Sequence, residues 1–294
     1  MINRTSRMIE SNRHIGSAFD DFLVEEGLFE EVSAGAKRRI AAWTKLNETK
    51  MPALYRSELA VLSQAFRELE ASVPPPRVVN MGNAQAYRYA ERSIQQAIVQ
   101  KLARQISGIH SAIILNHAGL LQEQASLHRM LDEIQQDTAF LADAVASGNV
   151  TELHQRYLDA FWLEEHDDPN DPVQSTRRDQ VPRAKIRAHL ANNEADESNP
   201  SRMIDVTRSI HHGYSGYVHA ASPQVMEMYD GNPPRWNLAG MVGTYFHADH
   251  TKDIYNYVFR AITSFATVAD AFKKNRLFQE LVALLRTFQT QRPN

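Results

Sequence analysis

The sequence predicts an all-α protein: a helical bundle built on a long helical hairpin, with an N-terminal helical arm. Three observations carry this. Two consecutive stretches, 86–117 and 120–147, each place a stripe at helical spacing. In the first the stripe is Ile94, Ile98, Leu102, Ile106, Ile109 and Ile113; in the second it is Leu120, Leu127, Leu131, Ile134, Thr138 and Leu141. Between them stands Asn116-His117-Ala118-Gly119. Glycine takes the left-handed conformation that ends a helix, and a histidine before it suits the negative end of the dipole. Finally, no run alternates as a half-buried strand does, so strand content should be near zero.

The totals set the class. The 294 residues are 43% hydrophobic and carry a formal net charge of −3. A real core can form, and no overall field demands nucleic acid or membrane. The chain has no cysteine, which removes disulfides, zinc–thiolate sites and thiol catalysis. No apolar run is long enough for a bilayer, and the first residues lack an apolar signal core. The expectation is a cytoplasmic protein without membrane association.

In chain order, Ser17 reads as an N-cap, with Asp20 and Asp21 in the positive first turn and Gly27 as the stop. A second helix, 28–47, carries Val32, Ile40 and Trp43 on one side, with a small basic cluster at Lys37-Arg38-Arg39. A third helix, 54–69, shows Leu59, Leu62, Phe66 and Leu69 as one stripe. Pro74-Pro75-Pro76 then forms a stiff linker. The domain boundary is placed there: an arm over 1–76 and a helical bundle over 77–294.

After the hairpin, 151–164 reads as a short helix, and 164–172 is an acidic, proline-containing loop. The stretch 177–187 is basic, with helical potential over 184–191. Asn199-Pro200 reads as N-cap and first helical residue of a helix reaching Val218-His219. Ser222-Pro223 begins a short helix ending at Gly231, and 232–240 is a loop with two prolines and Trp236. Two closing helices, 249–273 and 277–290, follow; Ile254, Val258, Ile262 and Phe265 stripe the first.

Ser215 and His219 are the first candidate site. Four residues apart, they share a helix face, and Gly213 and Gly216 beside them allow a close approach. Such a pair can serve as nucleophile and base, or as an internal hydrogen bond between helices. Arg129 and Glu133 are again four apart, with His128 and Asp132 beside them at the same spacing. On an exposed face such pairs contribute only about 0.3–0.5 kcal/mol each. His247, His250 and Asp253 could converge on a metal, but their spacing also fits an ordinary helix start capped near Asp249, so no metal is assigned. No glycine-rich phosphate loop occurs, and no cofactor is expected.

Two resemblances follow from these residues. The run His14-Ile15-Gly16-Ser17-Ala18-Phe19-Asp20-Asp21-Phe22-Leu23, with Glu25-Glu26-Gly27 and Glu30-Glu31-Val32, resembles a segment of small bacterial antitoxin-type regulators. Their helix-turn-helix does not follow here, so the resemblance implies bacterial origin and a docking segment but not DNA binding. The second rests on Arg129-x-x-x-Glu133 and the later Ser215-x-x-x-His219, within 93–141 and 202–234. It resembles uncharacterised bacterial all-helical proteins related to HEPN-type bundles. That resemblance implies a toxin–antitoxin or phage-defence context, with RNA as target. The HEPN ribonuclease signature, Arg then His after four to six residues, occurs at Arg7/His14, Arg104/His110 and Arg183/His189, as often as chance provides. Arg183/His189 is the best placed of the three.

Two functions are therefore in view. One is a non-catalytic interaction module of a defence or toxin–antitoxin system, its arm docking a protein partner or a second copy. The other is an RNA-binding or RNA-cleaving HEPN-like protein in which Ser215, His219, Arg129 and Glu133 line one polar pocket. The sharpest geometric expectation is that Ser215 and His219 approach Arg129 and Glu133.

Overall fold

The structure, a computed structural model, describes residues 55–81, 84–164, 179–193 and 200–291. The helices expected at 18–26 and 28–47, and the acidic loop at 165–172, lie outside the described residues. The fold is a predominantly helical bundle, with nine helices and two short hairpins of strands among the described residues.

By internal contacts the chain divides into two units, 1–51 with 76–88, and 52–75 with 89–294. The division differs from a single boundary at 76. In the first unit the described part is an antiparallel pair, β1 (Arg77–Met81) and β2 (Ala84–Arg88), with Val78 opposite Tyr87 and Val79 opposite Ala86. Residues 86–88 were expected to open the first long helix, and here they are strand. The helix begins only at Ile94, where Ser93 caps it: the Ser93 hydroxyl accepts from the Gln96 amide, and Gln96 accepts from the Ser93 amide.

The second unit begins with α1 (Arg56–Glu70), whose Leu59, Leu62 and Leu69 are buried with the bundle core. The proline run thus follows a bundle helix instead of separating it off. The hairpin is α2 (Ile94–His117) and α3 (Leu121–Ser147), the most extensively packed pair of elements. Gly119, at φ 72°, turns the chain between them as the sequence suggested. Next come α4 (Glu152–Phe161), α5 (Arg183–Asn193), α6 (Pro200–Val218) and the single turn α7 (Ser222–Met226). The expected loop over 232–240 contains half of a small hairpin, β3 (Tyr229–Gly231) with β4 (Pro234–Trp236). The long α8 (Tyr245–Ala271) and α9 (Asn275–Gln289) close the chain.

α8 is the central helix. It packs on α9, α3, α2 and α1, and its Ile254, Val258, Ile262 and Phe265 are all fully buried. Removing each such side chain from water contributes roughly 1.5–3 kcal/mol. The helix starts four residues before the expected Asp249, because the Thr244 hydroxyl accepts from the His247 amide and caps it. Of the α2 stripe, Ile98, Leu102, Ile109 and Ile113 are buried. α3 differs: its buried face includes Gln124, His128, Asp132 and Asp137 beside Leu131, Phe140 and Leu141. Buried polar groups need partners, and the elements laid over α3 supply them. α6 packs along one side, α5 along another, and α8 across the back. Among the described residues no helix is long and apolar enough to cross a membrane.

Candidate functional site

The polar face of α3 meets its neighbours in three places. The first is a cavity of about 700 Å³ whose lining includes Lys101 from α2, Glu133 and Asp137 from α3, Tyr157 and Phe161 from α4, and Arg183 from α5. Asp137 is its floor, with a side chain only 1% exposed. Lys101 Nζ donates to Asp137 Oδ2 at 2.8 Å and lies over the rings of Phe161 and Tyr157, 5.1 and 5.6 Å from their centroids. Arg183 closes a fork on the same carboxylate, donating from Nη1 to Oδ1 and from Nη2 to Oδ2. Burial, and then Asp137, push the Tyr157 phenol well above its ordinary range, so it stays protonated.

Along the rim, Arg129 Nη1 pairs with Glu133 Oε1 at 2.6 Å, and Arg183 Nη2 reaches Glu133 Oε2 at 3.7 Å. Arg187 stands one turn beyond Arg183 on α5. Its guanidinium is held below the ordinary arginine range by burial first, and then by Arg129, Arg183 and Arg208; Glu133 opposes them. Its Nη1 is a buried donor without a hydrogen-bond partner among the described residues. The charges of Arg129 on α3, Arg183 on α5 and Arg208 on α6 thus all act on Arg187, although the chain overall is slightly acidic and Arg208 is exposed and paired with Asp205. Guanidinium forks match phosphate oxygens, so this rim can hold an anion.

The second place is the seam between α3, α6 and α8. The His128 ring, fully buried, stacks on Tyr257 at 3.9 Å and meets the edge of Tyr214 at 5.6 Å. Burial first, then His250 and Arg260, lower its pKa to about 3, so it is neutral. Arg260 pairs with Asp132, and its guanidinium lies 5.4 Å from the Tyr257 centroid. Tyr214 donates to Asp253 Oδ2 at 2.8 Å, and Tyr217 donates to Glu227 at 2.9 Å. Burial holds both Asp253 and Glu227 above the ordinary carboxylate range.

The third place is the C-terminal end of α3. There His189 Nε2 lies 2.9 Å from Asp143 Oδ2, and the buried His154 lies beside them with its ring stacked on Phe140 at 4.0 Å. One ligand atom from each of the three lies within 4.8 Å of the others. Burial, and then the His189 ring, keep the His154 imidazole below its ordinary pKa.

The four predicted site residues fall in different surroundings. Arg129 and Glu133 form their ion pair on the cleft rim, with side chains 15% and 31% exposed instead of lying out on an open face. Ser215 is half-buried and His219 is exposed. Among the described residues, neither shares a hydrogen bond or ion pair with Arg129 or Glu133. Helix geometry gives the reason: at 100° per residue, Ser215 and His219 are rotated about 100–140° from Tyr214, which turns inward on α3. Gly216 does meet a close neighbour, because a Cβ there would lie 2.4 Å from Gln224 Cδ; at Gly213 nothing lies within 4 Å.

His247 and His250 do not converge. His247 uses Nε2 on the Asn116 carbonyl and Nδ1 on the Gly243 amide, while His250 faces Glu227. The residues that sequence reasoning passed over are Tyr214, Tyr217 and Asp137, and Asp253, considered there only as a metal ligand, instead accepts from Tyr214. A signal existed for the tyrosines: Ile210, Tyr214 and Tyr217, spaced four and three apart, form a helical stripe.

No protein-family model matches the chain, nor does any curated protein or solved structure give a significant match.

Proposed function

We propose that the protein binds RNA through the arginine rim formed by Arg129, Arg183, Arg187 and Arg208. The observation that carries this is Arg187: a buried guanidinium nitrogen without a hydrogen-bond partner among the described residues, under the positive charge of three other arginines. Phosphate oxygens would bond the accessible nitrogens of the rim, since Arg183 keeps 30% and Arg208 67% of its side chain exposed. Phe161 and Tyr157 in the adjoining cavity offer ring faces on which a base can stack. Arg129 and Glu133 belong to this reading as rim residues. Ser215 and His219 take no part in it, so binding is proposed and cleavage is not. The cellular setting that goes with it is the toxin–antitoxin or phage-defence context implied by the sequence resemblance.

The test is fluorescence anisotropy with a labelled single-stranded RNA over a range of salt. Affinity should fall linearly in log–log form with salt, as counterion release requires. Arg187→Glu should weaken binding by at least about tenfold. Arg235→Glu, an equal charge change on the exposed β3–β4 hairpin, should leave it within about twofold. Salt-independent binding, or equal losses in both variants, would refute the reading.

A second reading, an interaction module, draws on a different surface. Tyr229, Trp236, Leu238, Val242 and Tyr245 are all exposed around the β3–β4 hairpin and the start of α8. Clustered apolar exposure of this kind marks contact surfaces. If it is one, Trp236→Ser with Leu238→Ser should abolish self-association or partner capture and leave the RNA affinity of the chain unchanged.

A further inference from the structure

We propose that Asp143, His154 and His189 form a binding site for one divalent transition-metal ion of the zinc class. The site is separate from the arginine rim and does not depend on it. Each ligand comes from a different helix: Asp143 from α3, His154 from α4 and His189 from α5. One carboxylate oxygen and two imidazole nitrogens lie within 4.8 Å of one another, and the Asp143–His189 pair is already at 2.9 Å. Donors sharing one tetrahedral ion at bond lengths near 2.0–2.1 Å sit roughly 3.3 Å apart. The Asp143 carboxylate and His189 are therefore near donor spacing, and His154, within 4.8 Å of them, closes by up to about 1.5 Å on loading.

His154 decides whether the site can be loaded. Its Nδ1 lies 2.8 Å from Thr151 Oγ1 and 3.2 Å from the Thr151 amide, and its Nε2 faces the Phe140 carbonyl at 3.1 Å. Without metal, the proton belongs on Nε2, where it is donated to Phe140, and Nδ1 accepts from Thr151. With the proton moved to Nδ1, that N–H donates to Thr151 Oγ1 and Nε2 presents a lone pair. This is how metal-bound imidazoles are held: one nitrogen on the ion, the other on an outer hydrogen-bond acceptor. Loading thus exchanges the bond to Phe140 for a bond to the ion. The Thr151 amide gives up its acceptor at a helix N-terminus, where water can replace it.

The donor set selects the ion. Two imidazoles with one carboxylate suit zinc, nickel or cobalt, whereas magnesium and calcium take oxygen ligands. Stacking on Phe140 and the perpendicular His189 ring at 4.9 Å hold the His154 ring beside the other two ligands, and loading turns its Nε2 off the Phe140 carbonyl. Asp143 and His189 keep 35% and 17% of their side chains exposed, which gives the ion a way in and leaves a fourth position open to water.

The experiment uses the full chain, stripped with chelator and then titrated with cobalt(II) and with zinc(II). Cobalt should give the visible d–d bands of a low-symmetry site, calorimetry should count one zinc per chain, and zinc should raise the melting temperature. His189→Ala and Asp143→Asn, both at partly exposed positions and each checked for folding by circular dichroism, should weaken zinc affinity by at least about tenfold and abolish the thermal shift. Absence of cobalt bands and of zinc binding at millimolar metal would overturn the proposal. So would binding that both variants retain at full strength, since that would place the ion on other histidines.

Discussion

The Tyr214 hydroxyl donates to Asp253 Oδ2 across 2.8 Å, and this contact sets the rotation of α6 on the bundle. With Tyr214 turned inward against His128 and Tyr257, the faces of the helix bearing Ser215 and His219 turn away. Tyr214→Phe keeps the ring and removes the donor, leaving the Asp253 carboxylate short of a partner. The expected loss is about 1–2 kcal/mol by urea denaturation. Ser215→Ala and His219→Ala should each change stability by less than about 0.5 kcal/mol. A loss of several kcal/mol in either would show that the outward face is structural after all.

Arg183→Met should be far more disruptive. It leaves Asp137, almost wholly inaccessible, with Lys101 as its remaining cation. Because Arg183 is itself about one-third exposed, the expected loss is about 2–3 kcal/mol, below the range for a fully buried pair. Adding Asp137→Asn should recover a substantial part of it, because the unpaired charge disappears. A double variant as unstable as the sum of the two single changes would contradict this coupling.

Acid should unfold the protein through His128. Its folded pKa of about 3 lies below the ordinary histidine value of 6.5, so the unfolded chain takes up the proton first. The His128 contribution is fully present above pH ~6.5 and is lost progressively as pH falls toward about 3. The groups facing it are His250, Arg260, Tyr214 and Tyr257. Asp132 and Asp253, held above their ordinary range by burial, act in the opposite sense and gain stability in acid. Comparing the native chain with His128→Phe isolates the histidine: the variant should lose less stability between pH 7 and pH 4. Parallel curves would rule His128 out.

Two glycines with the same backbone conformation should respond differently to alanine. Gly119 (φ 72°) and Gly148 (φ 66°) both occupy the left-handed region. At Gly148 a Cβ meets nothing within 4 Å, so only the conformational cost of about 1–2 kcal/mol applies. At Gly119 a Cβ would lie 2.6 Å from the backbone nitrogens of Met241 and Val242. Gly119→Ala should therefore cost at least about 1 kcal/mol more than Gly148→Ala. Equal melting temperatures would show that residues 240–242 are loosely held.

How much of this was legible depends on how local each feature is. The α2–α3 hairpin was, because Ile98, Leu102, Ile109 and Ile113 repeat at helical spacing and Gly119 interrupts them. The β1–β2 pair was not: Val78 and Val79 are adjacent, so the strand lacks the period-two alternation that would mark it before it pairs with Tyr87 and Ala86. The Arg129–Glu133 pair was legible as an ion pair but not as a sheltered one, since α5 and α6 lie far along the chain. The arginine rim joins residues near 129, 183 and 208, so sequence showed its basic middle stretch and not its convergence. Tyr214 and Asp253 are likewise 39 residues apart, and neither implies the other until two helices cross.

The contact between Gly119 and Met241 has a consequence for synthesis. The Met241 amide donates to the Gly119 carbonyl at 2.8 Å, locking the start of α8 onto the corner of the hairpin. On the ribosome, α2 and α3 emerge long before that lock can form. Until then His128 and Asp132 lack Tyr257 and Arg260, and the apolar back of the hairpin has no α8 to cover it. The nascent chain thus carries an unsealed hairpin while residues 148–240 are made, the interval in which a chaperone or an early binding partner has access to it.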